Sequence, residues 1–408
     1  MKRLFLISIL AFNVLFAIAR SVSLNDGWIF RHTSTDDWEP VNLPHSWNGD
    51  AYLKKDYCKG KSVYRRQLLL NPSDSIRKFY LRIEGASKSS EVTVNGKPAG
   101  HHEGGYTESL YHITPYLSFS SPNVIEIAVD NDRDDIPPVS GDFTFFGGLY
   151  RDVWLEDYDP LHLSLHPFAT TGVKVTPYLE YGMGMVNVDI SVTNEDVLRR
   201  EGILRINLFD PQGNLIESFD KKIKMTPGGQ QEISHKSGYI FNPQLWSPDS
   251  PVLYRVATLL RDKKGSLLAR RVTDPGIRTF GFDDTGRFIL NGEPLKLRGI
   301  CRHQDMKPLG PALSDEMHRR DMMIAKDMGA NFIRISHYPQ DRAILEMADK
   351  LGLLVWEEIP VIDYVPDDPA YARNAEINLR EMITQHYNHP SIVMWGYMNE
   401  ILLKVPGD

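Results

Sequence analysis

The hydrophobic periodicity changes once along this chain, near Gly276, and that change constrains its architecture more than any other feature. Before it, short runs alternate apolar and polar residues with period two and are broken by turn residues, as half-buried strands are. Lys78 to Ile83, Glu91 to Val94, Val124 to Val129 and Tyr150 to Leu155 read as strands, and Val94-Asn95-Gly96-Lys97 carries the Asn-Gly signal of a tight hairpin. Residues 20–158 are therefore expected to form a jelly-roll-like β-sandwich. Residues 159–275 read as a second, immunoglobulin-like sandwich, with strands at Met185 to Thr193, Ile203 to Phe209 and Leu253 to Arg261. It shows no chemical constellation and reads as a spacer.

After Gly276, apolar strands alternate with amphipathic helices, the pattern of a parallel α/β unit. Strands are expected at Leu295 to Ile300, Asn331 to Ser336, Leu353 to Glu358 and Ile392 to Tyr397, and helices at Asp315 to Met328, Asp341 to Leu351 and Tyr371 to Tyr387. A closed (β/α)8 TIM barrel needs eight strands. Residues 276–408 thus read as its first half, about four strands, with a bare parallel edge.

The 408 residues, 42% of them hydrophobic, suffice for two to three cores. Lys2 and Arg3, an apolar stretch from Leu4 to Phe16 and the small-residue site Ala17-Ile18-Ala19 read as a signal peptide over residues 1–19, so the product is expected to be periplasmic or secreted. No other segment could span a bilayer. A net charge of −7, with both signs interspersed, argues against nucleic acid and anionic surfaces as partners. Cys58 and Cys301 fall in different units and are expected to be two buried free thiols rather than a disulfide. No cysteine and histidine spacing suggests a metal centre, and no cofactor is expected.

Each expected barrel strand ends in polar residues: Arg298 and His303, then Arg334, His337 and Tyr338, then Glu357 and Glu358, then Asn399 and Glu400. Catalytic side chains of such barrels sit at the C-terminal strand ends, so four ends converging on one rim mark a site. Glu400, beside an amide at the mouth of an apolar strand, is the candidate proton donor. One of Glu357 and Glu358 must point away from the barrel axis, because strand side chains alternate. The aromatic, Gly-rich stretch Gly141 to Tyr150 is of a type that serves as binding surface or as turn packing.

Two long patterns then point to a family. Asn331-Phe332-Ile333-Arg334-Ile335-Ser336-His337-Tyr338-Pro339, followed by Asp349 to Trp356, and Asn388-His389-Pro390-Ser391, running through Trp395-Gly396 to Asn399-Glu400, resemble the two signatures of glycoside hydrolase family 2. Ile335 departs from the first, where a small or polar residue usually precedes the serine. Leu43 to Trp47, Tyr64-Arg65-Arg66, Gly147 to Val153 and Leu245 to Pro248 match as well. The resemblance implies that Glu400 is the general acid/base and that Asn399 bonds the sugar 2-hydroxyl. It implies sugar contacts for His303 and His337, a positioning role for Arg334 at the pocket floor, and an Asp142 that reaches from the first sandwich over the barrel. Glu358 neighbours the substrate, but the family gives its position no nucleophilic role.

The nucleophile is expected beyond residue 408, which would leave this chain alone inactive. The stretch Glu358 to Asp363 lacks the glutamate and histidine with which some members hold magnesium, so no metal is expected. The reading is an exported glycosidase acting on terminal β-glycosides or oligosaccharides, β-galactosidase first. β-Glucuronidase, β-mannosidase, or a non-catalytic carbohydrate-binding remnant are alternatives, and a homo-oligomer stays open.

Overall fold

The computed structural model describes residues 19–51 and 57–401. The expected signal peptide, apart from Ala19, lies outside the described residues, as does Asp408.

Two antiparallel sheets form the first unit. One has the order Arg20–Ser23, Val153–Tyr158, Lys78–Ile83, Ser109–His112; the other runs Glu39–Val41, Trp28–Arg31, Lys61–Leu68, Asn123–Asp130, Ser89–Val94, Lys97–Glu103. The strand Asn123–Asp130 buries every second residue, and Ile125, Ile127 and Val129 meet Trp28, Tyr64, Leu81 and Ile83 in the core. Asn95 and Gly96, both at positive φ, make the two-residue turn that sets Val94 opposite Lys97. The expected strand at Tyr150 begins later, at Val153. Tyr150 and Arg151 are instead drawn out of the ladder, Tyr150 hydrogen-bonding to the Gly105 carbonyl and Arg151 to the carbonyls of Glu84 and Tyr106.

The second sandwich pairs Met183–Asn194 with Val173–Glu180, Leu161–Leu163 and Gln230–Lys236, and stacks this sheet on one ordered Leu215–Met225, Arg200–Phe209, Arg255–Asp262, Leu267–Thr273. It is more than a spacer. The Asn388 amide accepts from Val175 N–H at 2.8 Å and donates to Val173 O at 2.9 Å, Trp246 Nε1 donates to Asp349 O, and Arg278 donates to Ile392 O.

The third unit is a parallel sheet of four strands in chain order, β1 (Gly299–Arg302), β2 (Phe332–Ile335), β3 (Leu354–Glu358) and β4 (Ile392–Gly396), joined by α1 (Asp315–Asp327), α2 (Arg342–Leu351) and α3 (Pro369–His386). The helix ends follow from local chemistry. Asp341 and Asp368 accept the N–H of Ala343 and Ala370, Pro369 opens α3, and Gly352 closes α2 at φ 69°. One face of the sheet packs Ile333, Ile335, Val355 and Ile392 against Met322, Ala325, Ile344, Leu345 and Ala348. Near the N-terminal strand ends, the other face has Phe332, Leu354 and Val393 against Trp246, Phe288 and Leu290.

Two expectations fail here for identifiable reasons. β1 starts at Gly299, not Leu295, because Pro294 pairs in a hairpin with Ile289 and Leu295 and Leu297 pack into the floor cluster around Trp246. Both cysteines are exposed rather than buried. Cys301 stands opposite Arg334 in register and shares its face, whereas Ile300 and Arg302 take the side turned to the helices. Cys58 lies on the first sandwich, its Sγ 3.8 Å from His32 Nδ1.

Candidate active site

The C-terminal ends of the parallel strands bring together most of the residues singled out by sequence. Strand alternation separates the two glutamates of β3. Glu357 points toward α3, where its carboxylate meets His386 Nδ1 at 2.8 and 3.0 Å. Glu358 points the other way, onto the face of Arg334, and is wholly buried.

Arg334 is the hub. Its Nη2 donates to Glu358 Oε1 and Oε2 at 2.8 and 2.9 Å and to Asn399 Oδ1 at 2.8 Å, and its guanidinium lies 4.3 Å from the centre of the Trp356 ring. Glu358 neutralises this charge and also takes His337 Nδ1 at 2.6 Å. Asn399, its oxygen fixed by Arg334, turns its amide to Glu400 Oε2 at 3.1 Å. A relay thus runs from a buried carboxylate through Arg334 and Asn399 to an exposed carboxylate. Glu400 adopts φ 53°, a left-handed backbone that few non-glycine residues take and that clusters at functional sites. Both Glu358 oxygens are occupied by cationic or N–H partners, which is the environment of a binding residue and not of a free nucleophile.

The remaining candidates close the rim from the first strand and the first sandwich. His303, just past β1, bonds Tyr338 Oη through Nδ1 at 2.9 Å and sits beside His337. Burial, and then the neighbouring His337, lower its pKa against the opposing pull of Asp305 and Asp142. Asp142 is exposed, and Phe143 next to it lies 5.2 Å from His303 and 5.6 Å from Tyr338, ring centre to ring centre. Arg298 stays apart: its Nε reaches toward Gly329 O at 3.5 Å, at the opposite end of β1.

Sequence reasoning missed several members. Tyr106 stacks on Tyr338 at 4.3 Å, with an interplanar angle of 13°. Arg151 donates from Nη2 to Gln304 Oε1 and to Pro339 O, clamping the first sandwich to the segments after β1 and β2. In the Asn-His-Pro-Ser segment, His389 pairs with Asp349 at 2.6 Å and Ser391 N–H donates to the same carboxylate at 3.0 Å, so this motif holds the start of β4. Burial disfavours the charged form of His389, but Asp349 outweighs it and raises the pKa. A cavity of about 470 Å³ lies away from the rim, between both sandwiches and helices α2 and α3. Several of its lining groups are partnered in place, Arg82 by ion pairs with Glu108 and Glu156, and His386 by a hydrogen bond with Glu357.

Residues 170–278 match the family model described as glycosyl hydrolases family 2, and residues 283–405 the one described as glycosyl hydrolases family 2, TIM barrel domain. The chain belongs to glycoside hydrolase family 2. Among solved structures, Bacteroides uniformis β-glucuronidase 2, covalently bound to cyclophellitol-6-carboxylate aziridine, superposes with a TM-score of 0.91 at 48% identity, over 94% of this chain and 47% of that one. A putative β-glucuronidase of Formosa agariphila is 36% identical over 93% of this chain and 46% of its own length. A β-galactosidase of Thermoanaerobacter pseudethanolicus is 34% identical over 93% and 50%. The chain spans about half the length of these relatives.

Proposed function

We propose that this family-2 chain carries the acid/base half of a retaining β-glycosidase that removes terminal non-reducing sugars. The observation that carries the reading is the Glu358–Arg334–Asn399–Glu400 relay at the C-terminal rim. In it, Glu400 protonates the glycosidic oxygen as the bond to the aglycone breaks, and later takes a proton from the water that releases the sugar. Asn399, locked by Arg334, is placed to bond the sugar hydroxyl next to the reacting carbon. Retaining hydrolysis needs a second carboxylate roughly 5 to 5.5 Å from the first. Glu358 is already engaged with Arg334 and His337, which supports a nucleophile on a barrel strand after residue 408. The four parallel strands would then be the first half of an eight-stranded barrel, and residues 1–19 an export signal.

β-Glucuronide is the substrate to try first. The Bacteroides and Formosa relatives bear the glucuronidase name, at 48% and 36% identity. The β-galactoside preference read from the sequence is supported by relatives of lower identity that bear the galactosidase name, at 34%, 31% and 30%.

The test is hydrolysis of 4-nitrophenyl β-glucuronide and β-galactoside by the 408-residue chain, by a version extended through eight strands, and by Glu400→Gln in that version. Activity confined to the extended protein and abolished by Glu400→Gln is expected. Turnover by the 408-residue chain would overturn the placement of the nucleophile, and an extended protein that binds sugars without cleaving them would make this a carbohydrate-binding remnant.

A further inference from the structure

The two rim histidines lie with ring centres 5.4 Å apart and planes at 74°, and each has its Nδ1 engaged by a partner of different chemistry. His337 Nδ1 is 2.6 Å from Glu358 Oε1. Arg334 Nη2 also approaches this nitrogen, but at 3.4 Å, and it reaches the oxygens of Glu358 and Asn399 at 2.8 to 2.9 Å. A carboxylate bound to arginine only accepts, so the proton of the short contact sits on His337 Nδ1, which makes Nε2 the acceptor nitrogen of that tautomer.

His303 Nδ1 faces a hydroxyl, which could donate or accept, and the surroundings of that hydroxyl decide. Tyr338 is buried, and its oxygen also receives the Gln304 backbone N–H at 3.5 Å. Among the described residues the phenol proton has no acceptor except His303 Nδ1. Leaving a buried donor unpaired forfeits its hydration with nothing in return. The space beside Tyr338, about 10 Å³, is at the lower limit for a single water that could take the proton instead. The phenol therefore donates to Nδ1, and His303 carries its own proton on Nε2. Burial, and then Asp305, raise the Tyr338 pKa and keep the phenol protonated. Stacking on Tyr106 fixes the ring plane.

We propose that Tyr338 and Glu358 are positioning residues that hold His303 and His337 in opposite neutral tautomers, giving the rim a ring N–H and a bare ring nitrogen side by side. Such a pair suits two neighbouring sugar hydroxyls, one accepting from His303 Nε2–H and one donating to His337 Nε2. It disfavours a carboxylate, which the bare nitrogen repels, so the carboxyl group of a uronic acid would have to be read elsewhere. The ligand class rests on the glycosidase reading; the tautomers do not.

The 408-residue chain labelled with 15N-histidine gives the test, by two-bond 1H–15N correlation near pH 7.5 with His303→Gln and His337→Gln as assignment controls. His303 is expected to show the cross-peak pattern of the Nε2–H form and His337 that of the Nδ1–H form. Tyr338→Phe keeps the ring on Tyr106 and should move the His303 nitrogens toward exchange-averaged positions while leaving His337 unchanged. If that variant does not fold, the unsubstituted protein still decides. An Nδ1–H His303, or a doubly protonated ring at either position, overturns the assignment. Correct tautomers in an extended protein that hydrolyses neither glycoside would sink the glycosidase reading alone.

Discussion

Glu358→Gln keeps the shape of the side chain and removes its charge, so it isolates what neutralising Arg334 is worth. The native carboxylate accepts from Arg334 at both oxygens and from His337 at one of them. A glutamine amide, however it turns, sets an NH2 against at least one of these donors and leaves Arg334 with one amide oxygen here and the Asn399 oxygen as acceptors, neither of them charged. Breaking a fully buried ion pair costs roughly 3–5 kcal/mol. Arg334 retains 20% exposure against 0% for Glu358, which lets water offset part of the loss and points to the lower end, about 3 kcal/mol. The exposed pair Lys61–Glu91, at 48% and 57%, is the control, and Glu91→Gln should cost less than about 1 kcal/mol. Urea unfolding followed by tryptophan fluorescence reads both, with Trp356 under the Arg334 guanidinium as one reporter. A Glu358→Gln protein within about 0.5 kcal/mol of the parent, no worse than the surface control, would refute the claim that this carboxylate is the counter-charge of the site.

Asp349→Asn should flatten part of the pH dependence of stability on the alkaline side. The His389 pKa is raised in the fold, so its contribution is complete below its ordinary 6.5 and fades as pH climbs through the raised value; unfolding free energies at pH 5 to 9 that do not differ in shape between the two proteins would contradict this. His318 behaves oppositely. Burial, and then Arg302, lower it to about 3, so stability should drop as pH falls from 6.5 toward 3, and His318→Gln should reduce that drop in acid titrations followed by circular dichroism. Gly148→Ala drives a Cβ into the His45 carbonyl oxygen at φ 138°, and strain plus overlap should cost roughly 2–5 kcal/mol; an unchanged thermal midpoint would refute the contact.

The rim was legible because catalytic chemistry in a parallel α/β unit collects at strand ends, and the polar residues closing each apolar run can be counted along the chain. The helices were legible from their caps, Asp341 and Asp368 before and Gly352 after. Strand alternation alone did not choose between Glu357 and Glu358, because the choice depends on pairing across strands, and the register shifts between Val355 and Trp356; the family resemblance pointed to Glu358. Cys301 was assigned to the interior as small thiols usually are, yet it shares the polar face of Arg334. Tyr106 left no local signal of a site, and Arg151 only its place in the Gly147 to Val153 match, since their partners Tyr338, Gln304 and Pro339 lie more than 150 residues away.

Asn388 has a consequence for anyone who would rebuild this chain from interchangeable parts. Its amide is bonded on both sides to the backbone of Val173–Glu180, and four residues later, at Ile392, the chain enters the strand that leads to Asn399 and Glu400. A chimera that grafts in a foreign second sandwich must reproduce that backbone edge, or the strand that ends in Asn399 and Glu400 will be cast from a different mould.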